Sequence, residues 1–158
     1  AQKDGLDYFD QTEEFVTMEI SHSAGWNLVG LPLEVEDSSY EILFSESVDG
    51  TLYSFGAGYI QETELLVGTG YWLRFSGDGI STITGISVDN LERYLLEGWN
   101  LISGITELVD VNNIIDPSGI IIQDTFYGFG NGYENVDVLE PGEGYWVRTN
   151  GAGAITFQ

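Results

Sequence analysis

The chain has 158 residues, 42% hydrophobic and 13% aromatic, enough apolar side chain to bury a core, and 26 Asp and Glu against 4 Lys and Arg give a formal charge of −22. So acidic a chain repels phosphate backbones and anionic bilayer surfaces, which excludes nucleic acid as a partner, and no apolar run reaches the roughly 18 residues that a membrane-inserted helix needs. With no Cys there is no disulfide, and 21 Gly against 3 Pro point to many tight turns between strands.

Residues 1–11 read as an acidic arm carrying Asp4, Asp7 and Asp10, with Glu13 and Glu14 just beyond it. Ala1-Gln2 suits the first residues after a small-residue cleavage site, so a mature secreted form is expected. Val16-Thr17-Met18-Glu19-Ile20 alternates apolar and polar, the pattern of a half-buried strand. Ser21-His22-Ser23 precedes a turn at Ala24-Gly25, and His22, the only histidine, is expected to be exposed there. A second strand follows over Trp26 to Leu31. Ser38-Ser39-Tyr40-Glu41 has capping-box spacing ahead of Ile42-Leu43-Phe44, which predicts one helical turn. Leu52 to Phe55 is an aromatic strand, Gly56-Ala57-Gly58 a hairpin turn, and Tyr71 to Phe75 a further strand.

The same order then repeats. Gly25-Trp26-Asn27-Leu28-Val29 returns as Gly98-Trp99-Asn100-Leu101-Ile102, Tyr53-Ser54-Phe55 as Tyr127-Gly128-Phe129, and Gly68-Thr69-Gly70-Tyr71-Trp72-Leu73-Arg74 as Gly142-Glu143-Gly144-Tyr145-Trp146-Val147-Arg148. Between residues 52–79 and 126–153, 13 of 28 positions are identical, too many in too fixed an order for chance. The expected architecture is therefore all-β: two pseudo-twofold-related copies of an antiparallel unit of about 74 residues, over 12–85 and 86–158, each with five to six short strands and one helical turn. In the second copy that turn falls at Asp110 to Ile115, before Pro117. Units this small bury little surface alone, so the copies are expected to pack as one body.

These motifs resemble a repeat module of large secreted and cell-surface bacterial proteins. The resemblance covers about residues 25–85 and 98–158. Gly30-Leu31-Pro32 fits the module's continuation of its first motif, whereas Ser103-Gly104-Ile105 departs from it. The resemblance implies an extracellular, non-catalytic module with no catalytic residues to carry over.

Several residues are candidates for chemistry. Trp26, Trp72, Trp99 and Trp146 occupy repeat-equivalent positions, as core anchors of a duplicated fold must, and are read as the anchors of each half. Arg74 and Arg148, also equivalent, are expected to stack on a ring and pair with a carboxylate, with a clamp for a ligand carboxylate as the alternative. Tyr59 and Tyr133, after Gly-x-Gly turns, are the candidate ligand contacts. Asp110, Asn112, Asn131 and Asp137 crowd hard oxygen ligands into two loops, so calcium is the one candidate cofactor, although the EF-hand template fails at Ile114. A lone His22 and no P-loop, dinucleotide or metalloprotease motif argue against an enzyme. The expectation is a structural or interaction module, alone or as a subunit of a surface assembly, with a protein partner or self-association through sheet edges or the arm. A carbohydrate-binding module is the alternative.

Overall fold

The computed structural model describes residues 15–158. The acidic arm, Glu13 and Glu14 lie outside them. The chain is all-β, and the described residues form fifteen strands in antiparallel sheets.

In the first unit, β1 (Phe15–His22), β3 (Leu33–Glu34) and β7 (Gly79–Ser87) form a three-stranded sheet with β7 in the middle. Strands β2 (Gly25–Gly30), β4 (Tyr53–Phe55), β5 (Tyr59–Gln61) and β6 (Gly70–Phe75) form a four-stranded sheet in the order β2-β6-β4-β5. Side chains alternate across a strand. Val29, Tyr71, Leu73 and Phe75 therefore point inward, where they meet Ile20 of β1, Ile83 of β7 and the helical turn's Tyr40 and Leu43. The helix, α1 (Tyr40–Leu43), forms where expected, but its capping box does not. Ser39 makes no side-chain cap bond, its N–H donates to Asp37 Oδ1 at 3.0 Å, and the Ser38 hydroxyl donates to Glu64 at 2.8 Å.

The second unit repeats the four-stranded sheet with β9 (Gly98–Ser103), β14 (Gly144–Thr149), β11 (Tyr127–Phe129) and β12 (Tyr133–Asn135), in the order β9-β14-β11-β12. Strands β8 (Leu91–Leu95) and β15 (Gly153–Phe157) pair on the other side of its core, which gathers Leu95, Ile102, Tyr145, Val147, Ile155 and Phe157. Here the helical turn is a 3-10 turn, Val111–Asn113, which follows β10 (Val109–Asp110) and opens the long loop that leads to β11; β13 (Val138–Leu139), after β12, is the partner of β10. Asp110 caps it by accepting from Asn112 N at 2.9 Å.

The recurrence of Gly-Trp-Asn has a backbone cause. Gly25 and Gly98 take φ of +96° and +103°, a region costly to residues with a Cβ. The following Asn staples the turn. Asn27 donates to the carbonyls of Ser23 (2.8 Å) and Gly25 (3.0 Å), and Asn100 to those of Leu96 (2.8 Å) and Gly98 (3.1 Å). The tyrosine of Gly-x-Gly-Tyr-Trp turns inward and its hydroxyl accepts the N–H of Leu66 or Glu140, both at 2.8 Å, closing the loop before the strand.

The halves join through equivalent contacts made twice. Gly30 N donates to Gly142 O at 3.0 Å, and Ser103 N donates to Gly68 O at 3.1 Å. Val29 bridges to Glu143, and Ile102 to Thr69. Gly70 and Gly144 permit this approach: a Cβ on Gly70 would press into the Ile102 carbonyl, and one on Gly144 would lie 2.9 Å from the Val29 carbonyl. Arg93 of β8 adds a bond from Nε to Gly68 O at 3.1 Å. Between the units lies a third apolar cluster of Leu28, Leu101 and Trp146, with Phe55, Trp72, Tyr127 and Phe129 against it.

Candidate functional site

The faces of the four-stranded sheets that look away from their own cores carry all four indoles. On β2 and β6, Trp26 stands opposite Arg74, and Leu28 opposite Trp72, which also faces Tyr53. On β9 and β14, Trp99 stands opposite Arg148, and Leu101 opposite Trp146, which also faces Tyr127. The hairpin tips then cross between units. Phe55, from the first unit's hairpin, sits edge-on to Trp146 of the second, and Phe129 sits edge-on to Trp72, both with ring centroids 5.0 Å apart.

Two matching ladders of rings result. One runs Tyr53, Trp26, Trp72, Phe129, Tyr133, with successive centroids at 6.3, 6.4, 5.0 and 5.2 Å. The other runs Tyr127, Trp99, Trp146, Phe55, Tyr59, at 6.1, 6.4, 5.0 and 5.2 Å. Neighbouring rings meet edge to face or tilted, as the aromatic quadrupole prefers.

Each ladder borders a groove. One, of about 540 Å³, is lined by Trp26, Tyr53, Tyr59, Trp72 and Phe129. The other, of about 470 Å³, is lined by Phe55, Tyr59, Trp99, Tyr127, Tyr133 and Trp146. Tyr59 lines both, so the grooves adjoin. Trp26 and Trp99 are each 43% exposed, and Tyr59 and Tyr133 57% and 56%.

The expectation that all four tryptophans anchor the core of their own half is corrected. Each indole lies on the sheet face opposite that core, because strand alternation sends Tyr71 and Tyr145 inward and the next residue outward. Trp146 is buried between the halves, Trp72 is half-buried there, and Trp26 and Trp99 stand open. The arginines fall on the same face, directly across the strand pair from Trp26 and Trp99, where opposed Cβ atoms are about 5 Å apart. Both are exposed, and among the described residues neither forms the expected carboxylate pair.

His22 is the second correction. It is buried, 7% exposed, not solvent-facing. Opposite it in the sheet is Gly79, whose missing side chain leaves a slot, and the imidazole stacks on Phe75 at 3.7 Å with Nε2 3.3 Å from Glu46. The oxygen-rich loops are separated in part: Asp110 and Asp137 lie at the paired β10 and its partner loop, where Val111 N donates to Asp137 O at 3.0 Å, whereas Asn131 is at the tip of the β11–β12 hairpin. The Asp110 carboxylate is engaged as the cap of Asn112. Among the described residues, no group of three or more His, Cys, Asp or Glu is placed to hold a metal ion, and no helix is long and apolar enough to cross a membrane.

One ionisable group in the join was not singled out by sequence. Glu143, in the Gly-Glu-Gly before β14, is pushed up to about 7 by burial and, secondarily, by Glu140. Its neighbour Tyr145 is also driven upward, chiefly by burial. The chain matches no family model, no curated protein and no solved structure.

Proposed function

We propose that this chain is a non-catalytic interaction module of an extracellular or cell-surface protein, and that its working surface is the pair of adjoining aromatic grooves. The observation that carries the reading is the exposure of Trp26 and Trp99 in grooves built by both units. A soluble protein rarely leaves apolar rings gathered in an open cleft without a use for them. The duplication supports it further: the second copy reproduces the exposed face, ring for ring, as well as the core. The resemblance of the motifs to a module of bacterial surface proteins points the same way, and so does a charge of −22, which keeps a protein soluble and single in a salty medium. A module of this kind serves as a segment or subunit of a surface assembly, holding a partner without transforming it.

The test is retention of the purified protein on washed bacterial envelopes and on insoluble extracellular polymers, with wild type against the double variant Trp26→Ala, Trp99→Ala. Retention by the wild type and its loss in a double variant with native β-sheet circular dichroism is the expected result. Equal retention of both proteins would overturn the reading.

A further inference from the structure

We infer that the joined grooves form one track for a linear, neutral glycan, running from Trp26 past Tyr59 and Tyr133 to Trp99, with Arg74 and Arg148 donating to sugar oxygens at its two ends. The inference rests on the aromatic face being the interaction surface and adds the chemistry of its ligand.

Three observations carry it. The first is the mixture of groups. An indole face offers a flat apolar surface to the C–H face of a pyranose, while Tyr hydroxyls and guanidinium N–H groups supply polar contacts around the edge of the ring. Trp26 with Arg74, and Trp99 with Arg148, are such pairs, each held across two hydrogen-bonded strands and hence on rigid backbone.

The second is charge. The chain has three arginines, and Arg93 is committed to the join between halves. The other two stand exposed on the aromatic face and carry no carboxylate partner among the described residues, in a chain with 26 acidic residues. Their donors are therefore open to a ligand. A polyuronate would meet the field of a body charged −22, whereas a neutral sugar offers many acceptor oxygens and no charge to repel.

The third is continuity. Tyr59 borders both grooves and Tyr133 caps the ladder of the opposite unit, so the two tyrosines stand where the grooves meet. A polymer of like units suits a track whose halves repeat, because each half then offers the same rings and guanidinium to a different sugar, though in opposite senses along the polymer. The pseudo-twofold relation also lets the chain lie in either direction.

Calorimetric titration tests this with neutral linear hexasaccharides (β-1,4-glucose, β-1,3-glucose, β-1,4-xylose, β-1,4-mannose and β-1,4-N-acetylglucosamine), with hexagalacturonate and a decaproline peptide as alternative occupants. The expected result is one-to-one binding of at least one neutral hexasaccharide, weakened about tenfold or more by Trp26→Ala alone and by Trp99→Ala alone. Arg74→Ala and Arg148→Ala, which leave the ladders intact, are expected to weaken it as well. Binding of no neutral sugar, binding of hexagalacturonate or decaproline only, or neutral-sugar binding unchanged in both tryptophan variants would overturn the inference. If no sugar binds while the double tryptophan variant still loses its retention on envelopes or polymers, the glycan track fails and the interaction module stands. If neither readout responds to the tryptophans, both fall.

Discussion

Glu143 is the residue with the clearest pH signature. Its counterpart in the first unit is Thr69, which carries no charge at the same crossing between halves. With the folded carboxyl raised to about 7 against an ordinary 4.5, the folded chain holds a proton that the unfolded chain has already released between those values. Its contribution is therefore neutral below about 4.5, turns unfavourable as pH rises through that window, and is fully unfavourable above about 7. Glu143→Gln is predicted to raise stability at pH 8 by about 1–2 kcal/mol, allowing for partial solvent screening, and to change little at pH 4.5; urea melts at both pH values check it. A gain of the same size at both would contradict the burial account. The staples at the Gly-Trp-Asn turns are worth less, since they are partly solvated: Asn27→Ala and Asn100→Ala are each predicted to cost about 1 kcal/mol by the same melts. His22 shows the limit of reading single residues. Its place before a turn is legible in the sequence, but its burial depends on Gly79, 57 positions away in the chain and opposite it only once β1 and β7 pair.

Strand positions were largely legible because period-two alternation and glycine punctuation are local signals. The strands β1, β2, β4 and β6 lie within a residue or two of their expected places, and the helical turn of each unit is present. What was not legible is which face of a strand meets what. Alternation in Tyr71-Trp72-Leu73-Arg74-Phe75 separates two sets, yet both contain aromatic residues, so hydropathy alone cannot say which set faces the unit's own core and which faces the neighbouring unit. Residues 88–96 and 15–20 share no motif, which hid that β8 and β1 do the same work: each pairs with its unit's last strand and each touches a glycine loop of the other unit, Leu91 and Arg93 at Gly68 and Ile20 at Gly142. Those loops set the separation of the units. Gly70→Ala and Gly144→Ala are predicted to destabilise by about 1–3 kcal/mol each, because the added methyl meets backbone of the other half that has little freedom to retreat; thermal melts give the cost.

At the scale of the whole molecule, the cluster between the units makes each half depend on the other. Leu28 and Leu101 are each 2% exposed at its centre. Leu28→Ala or Leu101→Ala is predicted to lower the stability of the entire chain by about 2–4 kcal/mol with a single transition retained, whereas independent halves would show two transitions with only one of them shifted. The duplication was legible from the motifs, but the composite grooves were not, since they arise only where a hairpin tip of one unit lies over the sheet of the other. That crossing is the central claim. It is tested most directly by oxidising the native protein with N-bromosuccinimide and reading each tryptophan by peptide mass spectrometry. Trp26 and Trp99 are predicted to react first and at like rates, with Trp146 last. Protection of Trp26 and Trp99 to the level of Trp146, or equal reactivity of all four, would contradict a face built of two open grooves around a shared aromatic seam.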